Sequence, residues 1–403
     1  MSDRRVNRVF LGVILLLLSA GWAANHFASM IMVLREQLGI SSMLLNSAFG
    51  IYALGLLPGL LGGGVLADRF GARPVVLTGA VGAAAGNLSL MFSHDGAGLL
   101  VGRFIVGLGV GLAVSAGTAW AGRLRGAHGV TSAGIALTSG FALGPIASGL
   151  LAFTLPGDLV VTVPFAVTCL FSVAAVIFAT IVGDVRAPVP APTPRLSTNP
   201  QAPHTQSRDT SRTESRSMSK ALAVSLPMAI WVFSTVTTSL VILTARTSSN
   251  FDNGVLLPGM ASVLSFSVGL GVQALGRRFG WGRISGIVGA LLAALGFALV
   301  AYGGEVAPVW VFVLAAPILG AAYGLSLREG LLGIEAYTPP ARRGTAIGIY
   351  YVFTYLGFGL PVLLDALMPV WGAVLPLLVL SALAVGSAVV RALQIRRGYL
   401  PAR

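Results

Sequence analysis

The sequence predicts an all-α integral membrane protein, with twelve transmembrane helices arranged as two six-helix bundles. Three observations predict it. First, 55% of the 403 residues are hydrophobic and only 10% are charged, where a soluble domain carries roughly a quarter charged. Second, apolar runs of about 20 residues, long enough to cross a bilayer, recur along the whole chain. Third, one Pro-rich polar stretch divides those runs six and six. The 52 glycines suit helices that pack closely in lipid. Cys169 is the single cysteine and lies in an apolar run, so no disulfide framework or cysteine metal site is expected.

In order, the spans fall at about 9–34, 44–66, 75–93, 98–121, 130–153, 159–182, 221–243, 255–275, 284–303, 308–332, 345–367 and 372–392. The basic N-terminus runs straight into the first of them. That run is too long for a signal peptide and has no small-residue cleavage site in a suitable place, so it reads as an uncleaved first helix. Residues 1–183 are the expected first bundle, and 221–403 the second, with a short tail. Between them, 184–220 opens on repeated Ala-Pro and Thr-Pro and continues in Arg, Ser, Thr, Asn and Gln. Such a composition cannot bury a core and reads as a disordered linker, a tether with a phosphosite among its serines as the alternative.

The net charge of +13 is explained by topology. Of the 26 basic residues, all except Arg35, Arg246, Arg103 and Arg328 belong to the termini, the linker or alternate loops on one side. By the positive-inside rule that side is cytoplasmic, as are both termini. No nucleic-acid partner is needed to account for the charge. Lys220 is the only lysine, a bias that points to a GC-rich, bacterial genome and hence an inner or plasma membrane.

The halves echo each other. Arg69-Phe70-Gly71 and Arg278-Phe279-Gly280 stand 209 residues apart, and Gly62 meets Gly271 at the same offset. Asp68 meets Arg277, so the second copy has lost its acid. Gly144-Pro145 has a partner in Gly359-Leu360-Pro361 at another offset. Six-plus-six repetition about a linker is the plan of alternating-access transporters.

Four stretches carry a family resemblance. Gly64-x-x-x-Asp68-Arg69-x-Gly71-x-Arg73 resembles the loop 2–3 signature of the major facilitator superfamily, and Leu99-x-x-x-Arg103-x-x-Val106-Gly107-x-Gly109 its fourth-helix signature. Gly140-x-x-x-Gly144-Pro145-x-x-Ser148-Gly149 resembles its antiporter-associated fifth-helix motif, and Glu335-x-x-x-Pro339-Pro340-x-Arg342-Arg343-Gly344-x-Ala346 its loop 10–11 element. Together they cover nearly the whole chain in the right order. Ala72 and Pro74 replace basic positions of the first motif, and Val106 a common glutamine of the second. The resemblance implies a drug or metabolite:proton antiporter with a central cavity between the halves.

Candidate residues follow. A gate is expected of Asp68, Arg69, Gly71 and Arg73 with Arg278, Glu335 and Arg342, Asp68 reaching the start of helix 11 and Glu335 reaching Arg278 or Arg283; solvated, topogenic charge is the plain alternative. Arg103, Glu329 and His26 are the proton-coupling candidates, because a titratable or charged group in a span by default faces a cavity or a partner. The resemblance places Arg103 near proton transfer; a snorkelling arginine is the alternative. Glu329 reads as a proton carrier or a gate ion pair, for which adjacent Arg328 need not be the partner. Gly140, Gly144, Pro145 and Gly149 read as a small-residue face and a kink that let the two halves pack closely. Trp22, Asn25, His26, Trp231, Thr235, Tyr350, Tyr351 and Tyr355 are the substrate-cavity candidates, an amphipathic aromatic lining suited to a moderately apolar organic molecule. Asp365 lies near the outer end of helix 11. There is no Walker loop, no Ser-His-Asp pattern and no zincin motif. No cofactor, metal or enzymatic activity is expected; the partners are a small-molecule substrate, protons and the bilayer, and the chain is expected to be a monomer. An uptake symporter, a facilitator or a non-transporting receptor are the rival readings.

Overall fold

The structure, a computed structural model, describes residues 3–183, 217–282, 284–339 and 342–399. The linker 184–216, with its arginines and serines, and Arg283 lie outside the described residues. Among those described there is no strand, and the long helices form twelve spans. They are α1 (Asp3–Leu38, interrupted at His26), α2 (Ser42–Phe70), α3 (Ala72–Phe92), α4 and α5 (the two arms of Gly96–Thr154) and α6 (Leu159–Val182). The second set is α7 (Met218–Asn250), α8 (Leu257–Arg278), α9 (Ile284–Tyr302), α10 (Val309–Tyr337), α11 (Arg343–Tyr355, a 3₁₀ turn Leu356–Gly359, then Leu360–Trp371) and α12 (Leu375–Arg396). The arms α4 and α5 join at Arg125 and Gly126, where Gly126 takes φ +56° and the chain doubles back until Gly129 rests on the Ala121 carbonyl.

Most helices run past the apolar limits read from the sequence. The physical reason is that apolarity marks where lipid is, whereas a hydrogen-bonded helix continues into the interface until a cap ends it. Ser41, Asp95 and Ser217 accept the N-cap bonds from Leu44, Gly98 and Lys220. Between α2 and α3 the loop expected between the spans 44–66 and 75–93 shrinks to one residue. Asp68 and Arg69 are still helical, Gly71 alone turns at φ +89°, and Arg73 already belongs to α3. The echo keeps the geometry. Gly280 turns at φ +58°, and Arg69 and Arg278 each lie over the following phenylalanine, at 5.2 and 5.7 Å.

Backbone-to-backbone contact builds the core of each half. A Cβ at Gly107 would lie 2.0 Å from the Tyr52 carbonyl oxygen, and one at Gly55 2.1 Å from that of Phe104, so α2 and α4 touch main chain to main chain. The same seam joins α8 to α10 at Gly320 and Gly324. The halves meet along α2 with α11 and α5 with α8. Those contacts gather toward the face bearing Arg35 and Arg246, termed the Arg-poor face: Asn46 with Asp365, Phe49 with Phe358, Phe141 with Phe266, and Gly149 with Val255. Toward the opposite, Arg-rich face, Leu61 approaches Gly348.

Candidate functional site

Phe358, in the 3₁₀ turn of α11, is the hub between the halves. Its ring lies 5.3 Å from Phe49 and 5.6 Å from Tyr52 on α2, 5.0 Å from Phe233 on α7 and 5.7 Å from Tyr355. Tyr351 continues the stack at 6.2 Å from Tyr355. Of the expected cavity residues, Tyr351 and Tyr355 therefore stand in the region between the halves. Phe49, Tyr52, Phe233 and Phe358 belong with them, although the sequence did not single out Phe49, Tyr52 or Phe233 as lining. Beyond this stack, toward the Arg-poor face, a cavity of about 700 Å³ opens between α1, α2, α7 and α11.

Other expected lining residues are committed inside one half. Trp22 donates its indole N–H to Thr168 and tilts against Phe171, both on α6. Trp231 packs on Phe297 of α9, and the Thr235 hydroxyl turns back to the carbonyls of Trp231 and Val232. Tyr350 is fully buried over Gly330 and donates to the Ser326 carbonyl. For these four, apolar surroundings throughout the membrane hid which face each side chain takes.

A polar joint fastens α1 to α5. Pro145 has no N–H to give the carbonyl of Phe141, four residues back. Asn25 Nδ2 donates to that carbonyl at 2.8 Å, and Ser29 Oγ donates to the carbonyl of Pro145 itself at 2.7 Å. His26, at the interruption of α1, sits between Asn87 Oδ1 at 2.8 Å and Ser148 Oγ at 3.4 Å, edge-on to Phe165. The glycine face is part of the joint. A Cβ at Gly140 would lie 2.2 Å from the Leu18 carbonyl oxygen and one at Gly144 2.8 Å from that of Trp22. This corrects the expectation that the face packs across the halves: Gly140 and Gly144 pack within the first half, and of the motif Gly149 reaches the second, at the Val255 carbonyl.

The second half repeats the joint between α7 and α11. Pro361 leaves the carbonyl of Gly357 without its α-helical donor. Thr237 Oγ1 donates to it at 3.0 Å, and the 3₁₀ turn adds the N–H of Leu360. Here too a glycine allows the approach, since a Cβ at Gly357 would lie 2.3 Å from the Ser234 nitrogen. Directly after Thr237, α7 widens into a π-helical turn, Thr238–Leu243.

Arg103 does not snorkel, and it meets no acid among the described residues. It is fully buried; Nε donates to the Ala48 carbonyl at 3.3 Å and Nη1 to that of Ala24 at 3.2 Å, while Phe27 and Tyr52 sandwich the guanidinium at 4.5 and 4.7 Å. Desolvated cation–π contacts of this kind contribute about 2 kcal/mol each. Nη2 has no partner. In the second half the charge is answered. Glu329 pairs with Arg328 beside it and with Arg391 at 3.1 Å, and accepts from Ser285 at 2.6 Å. Arg328 and Glu329 pair, although neighbours on a helix need not, because the long guanidinium reaches round it. One expectation is corrected: Arg391 is a buried residue of α12, not a charge of the tail. The cluster ties α9, α10 and α12 within one half and is no bond between halves.

The expected gate is not engaged here. Among the described residues Asp68 and Glu335 make no ion pair, and both are exposed, as is Arg342. Arg278 stacks on Phe279 in place of pairing with Glu335, and Arg73 donates to the Thr180 carbonyl of α6.

Known proteins agree with this architecture. The crystal structure of a mutant peptide transporter POT in complex with alafosfalin superposes with TM-score 0.75 at 14% identity, over 97% of this chain and 96% of that one. That of a D-xylose-proton symporter superposes with TM-score 0.70 at 17% identity, over 96% and 97%. In sequence, a 76-residue stretch is 40% identical to the multidrug resistance protein MdtL of Klebsiella pneumoniae (strain 342), covering 19% of each chain. The chain thus spans about a fifth of the length of the curated relatives it matches. The family model described as Major Facilitator Superfamily matches residues 9–361. On that match the chain, a membrane protein of many spans, belongs to the Major Facilitator Superfamily.

Proposed function

We propose that this transporter exports small organic molecules in exchange for protons. The observation that carries the reading is the α1–α5 joint. In the stretch that resembles the superfamily's antiporter motif, Gly140 and Gly144 are pressed onto α1 beside its interruption at His26, where Asn25 and Ser29 bond to α5. Beyond that joint α5 meets α8, where Ser262 donates to the Ala142 carbonyl and Gly149 lies against Val255. The short likeness to a multidrug resistance protein points the same way. The aromatic stack around Phe358 suits an organic substrate with an apolar body.

In this reading the Arg-rich face is cytoplasmic, the linker tethers the bundles on that side, and Asp68 engages the start of α11 in the state in which that face closes. Proteoliposomes with an imposed pH gradient test the central claim. Substrate moving against the proton flux is expected; movement with it makes the protein a symporter, and no flux for any organic substrate tried, under either gradient, overturns transport. Asp68→Asn is expected to cut flux severalfold with unchanged thermal stability, and wild-type flux in that variant removes the gate. A reporter fused at Arg195 is expected to read cytoplasmic.

A further inference from the structure

Arg103 and Tyr52 each bury a polar group that nothing answers. Arg103 is fully buried between α1, α2 and α4, and its Nη2 has no partner among the described residues. Tyr52 is 1% exposed, and its hydroxyl is likewise without a partner there. The two groups touch, since the guanidinium lies over the Tyr52 ring at 4.7 Å. Both orphans can donate a hydrogen bond. The charge is unanswered as well. Among the described residues Glu329 is the buried acid, and Arg328 and Arg391 already hold it in the other half. Buried charges are ordinarily paired, and a charge inside a span by default marks a ligand pathway. The Tyr52 ring also meets Phe358 at 5.6 Å, so the orphans adjoin the aromatic stack between the halves.

We infer that Arg103 and Tyr52 bind the head of an organic anion, a molecule with a carboxylate on an apolar body. A carboxylate offers acceptors alone. One oxygen takes the free N–H of Arg103 Nη2 and the other takes the Tyr52 hydroxyl, while its charge answers the guanidinium. The apolar body lies along Phe49, Phe233, Tyr355 and Phe358. An aromatic stack by itself would suit an organic cation equally, through cation–π attraction. Charge decides between the two. Arg103 already covers a face of Tyr52 and repels a second cation, and the buried acid that could hold one is spent on two arginines. A neutral head leaves the guanidinium uncompensated. Phe358 comes from the second half, so parting of α2 from α11 uncovers Tyr52 and the guanidinium edge behind it. The site's place in transport rests on the Phe358 region being the substrate space, as proposed above. It gives Arg103 to the substrate, where the resemblance placed that residue near proton transfer.

The test compares three probes built on one frame: 4-phenylbutyrate, 4-phenylbutanamide and 4-phenylbutylamine, which are anionic, neutral and cationic at neutral pH. Their binding to the full chain in lipid nanodiscs is measured by titration calorimetry. The carboxylate is expected to bind about tenfold more tightly than the amide, and the amine more weakly than either. Tyr52→Phe is expected to weaken the carboxylate about tenfold and to leave the amine unchanged. Arg103→Gln is expected to abolish the preference for carboxylate over amide. That ratio is the telling readout, because a mere loss of packing lowers both affinities alike. Tyr52→Phe decides the matter if Arg103→Gln does not fold. An amine that binds as tightly as the carboxylate overturns the site, as does a failure of all three to bind, or a carboxylate affinity indifferent to Tyr52→Phe. Flux in liposomes tells this failure from failure of the exchange reading. Phenylbutyrate bound with the expected preference, yet never carried against a proton gradient, sinks proton exchange and leaves the site standing. Proton-driven export of the amine, indifferent to Tyr52→Phe, sinks the site and leaves proton exchange standing.

Discussion

The α1–α5 joint and the α7–α11 joint are the same device built with different residues. In each, a proline in the fifth helix of a half removes one main-chain donor, a side chain of the first helix replaces it, and a glycine lets the two backbones touch. The halves differ in how the freed carbonyl is satisfied. At Phe141 the replacement described is the amide of Asn25. At Gly357 the hydroxyl of Thr237 shares the work with a 3₁₀ turn. One half keeps its helix and answers the freed carbonyl with a polar side chain from its neighbour. The other deforms its own helix and needs less from its neighbour. The second half's irregular turns, π in α7 and 3₁₀ in α11, lie beside the Phe358 aromatic stack, so the softer joint is the one nearer the space where a substrate would sit.

Substitutions put this contrast between the joints at risk. The greatest loss is expected where a methyl group would be driven into main chain. Gly140→Ala and Gly357→Ala should each lower stability by about 3 kcal/mol, the top of the ordinary overpacking range, read as thermal unfolding in detergent. Similar losses in both would confirm that the approach matters equally to the two joints. Next, Asn25→Ala should cost about 2 kcal/mol, since it strands a buried carbonyl. Thr237→Val should cost less, about 1 kcal/mol, because the Leu360 N–H remains; a reversal of that order would show the two joints to be loaded the other way. The weakest and most specific signal is a coupling. Pro145→Ala restores the missing N–H, so Asn25→Ala should cost about 1 kcal/mol less in that background than alone. Strict additivity would mean that Asn25 does not stand in for the lost helix bond.

Much of the fold was legible because the bilayer imposes length. Twelve apolar runs, the charged turns between them and the Arg69 and Arg278 echo could be read from spacing alone. The echo even returned as matching cation–π pairs and left-handed glycines. The clasps were only half legible. Pro145 and Pro361 announced two freed carbonyls, but Asn25 and Thr237 share no residue type, and pairing across helices is invisible in one dimension. The lining was harder still. In a soluble protein apolar periodicity marks a buried face, whereas here lipid-facing and core-facing positions are equally apolar. Hence Trp231 and Tyr350 looked like lining, and Phe49 and Tyr52 did not. Arg391 was read as tail charge because it stands near the end of its helix, where only its neighbours reveal that it is buried with Glu329.

The seam between α2 and α4 has a consequence for motion. Gly55 and Gly107 bring carbonyls against α-carbons, and a contact made of main chain has no rotamers to exchange as temperature rises. Such a surface behaves as a weld, not a bearing. The helices it joins must turn together, and the travel of a working cycle is left to the few places where the sequence has already loosened a helix.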